Sequence, residues 1–409
     1  MHTFQDLYKR IVLSSKTKQT DDVLDRLNYD PFHLECVLKP GMNAQSWETY
    51  NPSCLQTNVN FMDCFYKHVK TDEQGQRLPV FVEEKCHNCL DPKLIQKLLL
   101  SEDIMKVMDA IHKKDKPVYV LIAPAFLSQF DVVTDGQLRS AFKQIGFEGV
   151  VEVSLFADIL TLKEALDFDR EIQNEKDYIL TSCCCPMWIQ MIRKLKPDLM
   201  IHVPKSVSPM IATGRVIKKI VPNAFTVFVG PCLAKKAEAK EEDIKDAIDV
   251  VLTFKEVKDL FETARIDASN LKTDVREHSS AAGRIYAISS GVSQAVDLTL
   301  KRLRPNKKIQ VKSVYASGVP EMKNLLANLT NGSLQANFIE GMGCRGGCVG
   351  GPRALIDKDQ AKIKVEEYAK KSLYKTPLDN PYVIEMLQRL HFTSVEELLQ
   401  DKEIFTREF

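Results

Sequence analysis

Apolar residues in the middle of the chain fall into short β-rich runs separated by amphipathic stretches. Val118-Tyr-Val-Leu-Ile-Ala is continuous and apolar, which predicts a strand buried on both faces, and Pro124 follows it. The alternation then repeats. Leu138 to Ile145 predicts a helix, Gly149 to Val153 a strand, and Thr161 to Glu175 another helix. Tyr178 to Leu180 predicts a strand, Met187 to Leu195 and Ile211 to Val221 helices, and Phe225 to Val229 a strand. Ala247 to Thr253, Ile309 to Ala316 and Ala336 to Ile339 read as strands; Phe254 to Ala264 and Met322 to Leu329 read as helices. Strands alternating with helices predict an α/β fold with mainly parallel sheets flanked by helices. The length of this region suggests two such lobes.

The flanks read differently. Residues 1–112 predict a small, irregular, cysteine-bearing region with helices at Phe4 to Leu13 and Pro92 to Ile111. Pro40, Gly41, Asn51, Pro52 and Gly75 lie between them as turn formers. Residues 113–353 are expected to form the two-lobed central domain, and residues 354–409 a polar helical extension packed on it. Thr393 and Glu396 have the spacing of a helix capping box.

Composition narrows the class. The 409 residues are 44% apolar and 27% charged, which excludes disorder, collagen and coiled coil as whole-chain readings. The net charge of +1 gives no excess that would suggest a nucleic-acid or membrane surface. The longest apolar run, Val118 to Leu127, is about half of the ~20 residues a membrane helix needs. Asp6, Lys9 and Arg10 interrupt any signal-peptide core, so the expected address is the cytoplasm or another reducing compartment.

Cysteine is the unusual residue. There are 11, at 36, 54, 64, 86, 89, 183, 184, 185, 232, 344 and 348. An odd number argues against a disulfide framework. Cys86-x-x-Cys89, Cys183-Cys184-Cys185 and Cys344-x-x-x-Cys348 are tight groups, which favours iron–sulfur clusters or zinc. His87 has no second histidine at zinc-finger spacing, and His202 and the other histidines read as structural. Three segments place cysteine just after a strand: Thr181-Ser-Cys-Cys-Cys-Pro-Met-Trp188, Gly230-Pro-Cys-Leu-Ala-Lys-Lys-Ala-Glu238 and Glu340-Gly-Met-Gly-Cys-Arg-Gly-Gly-Cys-Val-Gly-Gly-Pro352. Ligands collect at the carboxyl ends of strands in open α/β folds. Helix N-termini there lower thiolate pKa values and favour anionic clusters. The glycines let backbone amides approach sulfur closely.

In order and approximate spacing, these segments resemble the three signature motifs of the [FeFe]-hydrogenase catalytic domain: TSCCPxW, MPCxxKxxE and ExMxCxxGCxxGG. The resemblance covers about residues 115–390 and extends to Ile122-Ala-Pro-Ala125, Phe156-Ala-Asp158 with Glu164, Ser208-Pro209, and Tyr368 to Pro381. The spelling suggests a less-studied branch of the family. The resemblance implies an H-cluster: a [4Fe–4S] cubane joined through one cysteine sulfur to a two-iron centre with CO, CN⁻ and an amine-bearing dithiolate. By position, Cys185, Cys232 and Cys344 fall on cubane ligands, and Cys348 on the ligand that also bridges to the two-iron centre. Cys184 falls on the proton-passing thiol, Lys235 on the cyanide-binding residue, and Met342 on a residue packed beside the two-iron centre. Pro124 and Ala125 fall in the cofactor-binding turn. Glu238 and Glu164 match acids of the proton path. The plain alternatives are buried structural cysteines, a surface lysine, helix-surface acids and a core methionine, with Lys235 to Lys245 mostly a solvated helix.

Several positions depart from the family pattern. Cys183 stands where serine is usual, and Gly230 where methionine is usual, leaving room or a different hydrogen-bond pattern. Ala125 stands where a cyanide-binding serine is common. Pro204 replaces a serine of the proton path, and Glu171 an arginine at its outer end. The inner relay reads as intact and the outer path as rewired, with Ser206 or a water as a substitute.

Val82-Glu-Glu-Lys-Cys-His-Asn-Cys resembles the start of a ferredoxin cluster motif, but Pro92 occupies the third cysteine position. The N-terminal region thus resembles a degenerate ferredoxin. One accessory [4Fe–4S] cluster on Cys54, Cys64, Cys86 and Cys89 is the expectation, with reduced cysteines or a zinc site as alternatives. The implied reaction is reversible 2 H⁺ + 2 e⁻ to H₂. Its implied partners are H₂, protons, a ferredoxin-like or flavodoxin-like electron carrier and cluster-maturation proteins. The alternatives are a related iron–sulfur assembly scaffold lacking the two-iron centre, and a low-turnover hydrogen sensor.

Overall fold

The computed structural model describes residues 61–80, 90–130, 133–274 and 278–409. Its first elements are a helix, Phe61–Lys67, and an antiparallel hairpin, β1 (Val69–Thr71) and β2 (Arg77–Pro79). The expected helix from Pro92 to Ile111 is two helices, Pro92–Leu99 and Glu102–Lys113. Ser101 divides them because its hydroxyl caps a new N-terminus, accepting from the Ile104 amide at 3.3 Å. The expected helix at Phe4 to Leu13 lies outside the described residues.

The central region builds two parallel sheets. The first has the order β4 (Gly149–Glu152), β3 (Val118–Ile122), β6 (Phe225–Gly230), β7 (Val250–Thr253). β3 is buried along its whole length, as its apolar run requires. Its Val120 is in register with Val150 on one side and Val227 on the other. The second sheet has the order β5 (Ile179–Leu180), β9 (Phe338–Met342), β8 (Ser313–Ser317). A large apolar cluster surrounds the first sheet and includes Met62, Ile95, Ile217 and Phe405. A smaller one, with Trp188, Ile192, Met322 and Ile339, surrounds the second. Mainly parallel sheets flanked by helices are thus the observed architecture.

The helix Val153–Glu171 links the two. It begins directly after β4, eight residues before the expected start, and is buried from Val153 to Phe168 on every side. Helices Pro209–Ile220, Ala281–Arg284 and Gly291–Leu303 pack against it. Its Phe168 ring meets Phe338 of β9 at 6.0 Å between centroids. The Gly291–Leu303 helix has no counterpart among the expected elements. The strand expected at Ile309 to Ala316 begins later, at Ser313.

The segment after Ala354 is tied to the interior by polar bonds. Tyr368 donates its hydroxyl to Glu152 at 2.9 Å, and Arg284 donates to the Tyr368 carbonyl at 2.9 Å. Asn380 donates to buried Asp158 at 3.1 Å, which also accepts from the Ser280 amide at 2.7 Å. The capping pattern at Thr393 is displaced by one residue. Thr393 pairs with Glu397, while Glu396 is engaged by Arg304 at 3.1 Å.

Candidate metal centre

The three cysteine segments all leave carboxyl ends of parallel strands. Cys183 to Cys185 follow β5, Cys232 follows β6, and Cys344 and Cys348 follow β9. The site therefore draws from both sheets. Ser182 opens the first segment at φ 67°, a left-handed conformation unusual for serine, and its carbonyl accepts from the Cys185 amide at 2.9 Å. This tight turn precedes the helix Pro186–Leu195, with Pro186 at its first position.

Close backbone approach joins the segments. The Gly343 amide donates to the Cys185 sulfur at 3.2 Å. Arg353 donates its amide to the Pro231 carbonyl at 3.1 Å, and a Cβ at Gly351 would lie 2.8 Å from that oxygen. This places the segment just after Cys348 against the Cys232 loop. A Cβ at Gly341 would lie 2.2 Å from the Trp188 ring. Trp188 in turn donates its indole N–H to the Thr181 carbonyl at 2.9 Å.

The thiols form one electrostatic group. Burial pushes the Cys344 thiol up to about 12, and nearby Cys232 and Cys185 add to the rise. Cys348 is raised by burial and then by Cys232, Cys185 and Cys344. Cys185 is raised by burial, opposed by amides of Gly343 and Trp188. Such sulfurs ionise together only where a cationic centre offsets their repulsion. Among the described residues no three acidic, histidine or cysteine groups converge on a single ion. A four-iron cube instead spreads its four thiolates around its corners. Buried Ser182 Oγ, without a partner among the described residues, lies at the same turn. The donor set Cys185, Cys232, Cys344 and Cys348 thus fits a cubane.

Cys184 sits beside these four. Burial raises its thiol far above the ordinary value, Cys348 raises it further, and Lys235 opposes. Lys235 is 7% exposed and Glu238 2%, so both are interior groups and the surface readings fail. Their side chains pair at 2.5 Å. Burial lowers the Lys235 pKa, but Glu238, Cys184 and Cys232 together outweigh it and the ammonium is raised. The helix here is only Ala234–Glu238; turns follow, where a solvated helix to Lys245 was expected. Met342 is buried at the end of β9, and its carbonyl accepts from the Gly318 amide at 2.7 Å. Pro124 and Ala125 follow β3, and the preceding Ala123 lies beside Gly230. The space a methionine would fill at Gly230 is taken, since a Cβ there would lie 2.7 Å from the Phe228 ring.

Glu164 is also interior, and Thr181 donates its hydroxyl to it. Burial lifts its pKa to about 7, with Asp167 and Glu340 raising it and Thr181 and Lys163 opposing. Glu238 closes onto Lys235 and shares no hydrogen bond with Glu164 or Cys184 among the described residues. Beyond Glu164, the structure brings in two residues that the sequence reading passed over. Lys163 and Asp167 form a buried pair at 3.2 Å, and Lys163 also donates to Ser206 Oγ at 2.9 Å. Both line an open cleft of about 830 Å³ with Glu171, Pro204 and Lys205. The Cys183 thiol donates to the Pro204 carbonyl at 3.2 Å. The i+3 spacing of Asp167 from Glu164 was the available signal.

Of the expected accessory ligands, Cys64 is buried in the helix Phe61–Lys67. Cys54, Cys86 and Cys89 lie outside the described residues. His202 stacks on Tyr178 with ring centroids 4.2 Å apart.

The family model "Iron only hydrogenase large subunit, C-terminal domain" matches residues 116–352. Iron hydrogenase 1 of Clostridium pasteurianum is 27% identical over 66% of this chain and 56% of its own length. The NADP-reducing hydrogenase subunit HndD of Solidesulfovibrio fructosivorans is 27% identical over 74% of this chain and 62% of its own. The chain therefore spans about three fifths of the length of these two relatives. The nuclear prelamin A recognition factor of Xenopus laevis is 22% identical over 78% of this chain and 83% of its own. A solved variant of [FeFe]-hydrogenase HydA1 from Chlamydomonas reinhardtii shares the fold at TM-score 0.59 and 19% identity, covering 76% of this chain and 99% of that one.

Proposed function

The chain belongs to the iron-only hydrogenase family, and from that premise we propose that it is an [FeFe]-hydrogenase interconverting 2 H⁺ + 2 e⁻ and H₂. The observation behind this reading is the half-buried thiol of Cys184, which feels the charges of Cys348 and Cys185 on one hand and of Glu164 on the other. An iron–sulfur centre that only stored electrons would have no use for it.

Cys185, Cys232, Cys344 and Cys348 would hold the cubane, with Cys348 shared with a two-iron centre. When bound, that centre supplies the redox chemistry at which protons and electrons combine. The chain's own part is charge and proton management. Lys235 presents a buried ammonium to an anionic group, and Glu238 keeps that ammonium charged. Met342 and Ala125 supply apolar walls. Cys184 holds a proton at Sγ and exchanges it toward Glu164, whose carboxyl is neutral or charged with nearly equal ease at neutral pH. Lys163 and Asp167 line the open cleft and act on the charge of Glu164, and together with Ser206, which accepts from Lys163, would complete the exit that Pro204 cannot serve. Electrons would come from a ferredoxin-like or flavodoxin-like carrier, and the two-iron centre from maturation proteins. A reducing, anoxic compartment suits such a centre.

A second reading is an iron–sulfur assembly protein that keeps the cubane alone. Its support is length: the chain spans 83% of the prelamin A recognition factor. A cytosolic Fe–S cluster assembly factor, NAR1 of Kluyveromyces lactis, is also 30% identical over 106 residues, 26% of this chain and 22% of its own length. Exchange of H₂ with deuterated water separates the two. Matured protein should catalyse it and Cys184→Ala should not; absence of exchange in matured wild-type protein favours the assembly reading.

A further inference from the structure

Glu340 lies in β9, four residues before Cys344, and is fully buried. One carboxyl oxygen, Oε2, accepts from both the amide (2.9 Å) and the hydroxyl (2.6 Å) of Ser293, in the first turn of the Gly291–Leu303 helix. The other, Oε1, has no hydrogen bond of ordinary geometry among the described residues, although the Ser290 amide also faces the carboxyl. An unpartnered oxygen at such depth is expensive as half of a carboxylate.

The sheet places this group next to Glu164. Leu180 pairs with Ile339, and the Thr181 amide continues the ladder to the Ile339 carbonyl at 2.9 Å. Thr181 therefore stands beside Glu340, with both side chains on one face of the sheet. Thr181 is the residue that donates to Glu164. The helices bearing Glu164 and Ser293 pack on each other. Thus two buried carboxyls flank one threonine, and each raises the cost of charging the other. Burial also lifts Glu340 to about 7, with the Ser293 donors and the Ser290 amide opposing. The remaining titratable groups around the pair are Lys163 and Asp167 on the long helix, Tyr286 from the turn beside it, and Cys183 and Cys184 from the loop after β5. The lysine is already committed to Asp167 and Ser206.

We propose that Glu164 and Glu340 share a single negative charge, so that Glu340 is a positioning residue setting how readily Glu164 takes and releases a proton. The proposal rests on Glu164 being the relay acid of the preceding section. The singly charged pair holds one proton: with Glu164 as the carboxylate Glu340 is the carboxylic acid, and transfer of that proton to Glu164 leaves Glu340 as the carboxylate against the two Ser293 donors, with the net charge unchanged. Two carboxyls coupled in this way titrate as a pair, in two separated steps.

The test is the infrared carbonyl band of protonated carboxyls, followed against pH in the full-length, iron-loaded chain in H₂O and D₂O. The wild-type curve should show two steps near neutrality. Glu340→Gln should remove the upper one and leave a single midpoint within about half a unit of the lower wild-type midpoint. Glu164→Gln should do the same. A wild-type curve equal to the sum of the two variants' curves overturns the proposal. Ser293→Ala guards against a Glu340 variant that does not fold. Removing one donor to the charged form should move the upper midpoint up by about one unit, and an unchanged midpoint counts against the proposal. The readout does not depend on turnover. Coupled titration without H₂ exchange would sink the hydrogenase reading and leave the carboxyl pair standing.

Discussion

Thr181 joins the triple-cysteine turn to the long buried helix by donating its hydroxyl to Glu164. It is the first residue of the triple-cysteine segment, and its carbonyl accepts from Trp188. The cysteine turn and the long helix are therefore positioned by one residue.

Ligand and relay cysteines should separate in their effects. Cys232→Ala and Cys344→Ala should each lower the iron content by about four atoms per chain, since a cubane needs its thiolates. Cys184→Ala should keep that iron and lose activity by about 100-fold or more, the scale of a missing proton-transfer group. Iron analysis beside H₂ exchange checks both. Cys64→Ala, by the same iron count, tests the accessory cluster: a further loss of about four atoms supports it.

The Lys235–Glu238 pair should respond cooperatively. Lys235→Met leaves a buried carboxylate unpaired and Glu238→Gln a buried ammonium. Each should cost about 3–5 kcal/mol. The double variant should cost clearly less than their sum, as measured by chemical denaturation.

Gly341→Ala should disturb the site from outside the ligand set. The added Cβ meets the Trp188 ring at 2.2 Å, and Trp188 is fully buried and bonded to Thr181. The expected cost is about 1–3 kcal/mol. Reduced iron retention and a lower melting temperature are the expected outcomes.

Stability should fall as pH rises through weakly acidic values. Burial lifts Glu164 and Glu340 from 4.5 to about 7 in the folded chain. Between these values the folded state keeps protons that the unfolded state has released, so each step up in pH favours unfolding. The dependence flattens only once both carboxyls have ionised. Each carboxyl would account for roughly 3 kcal/mol across the window. Asp158, lifted by burial to about 6, adds to the lower part. Denaturation at about pH 5 and pH 7 should show the slope, and Glu340→Gln should reduce it.

The fold was readable where local pattern and burial coincide. Val118 to Ile122 is apolar throughout and forms a central strand. Phe254 to Ala264 has both its stripe and its Thr253–Glu256 capping box, and its bounds match the expected ones. The long helix was half hidden for the opposite reason: it is buried on all sides, so it shows no stripe, and no turn former separates it from β4. The Gly291–Leu303 helix starts after Ser290 at φ 66°, without a side-chain cap. The cysteine segments were legible because each is a continuous strand-to-turn motif. Lys163 and Glu340 were not, because their partners Ser206 and Ser293 lie 43 and 47 residues away, and Asp167 offered only its helical spacing from Glu164. Of the departures from the family pattern, the Gly230 space proved to be filled by Phe228, a contact that depends on side-chain direction.

The central claim is that this chain assembles a hydrogen-reactive centre on Cys185, Cys232, Cys344 and Cys348. Infrared spectroscopy of protein supplied with a two-iron centre tests it most directly, because bound CO and CN⁻ absorb where protein is nearly silent. The account predicts bands in that window that change under H₂ and keep their hydrogen response only with Cys184 in place. An intact cubane that yields no such bands, beside a positive control, would contradict it.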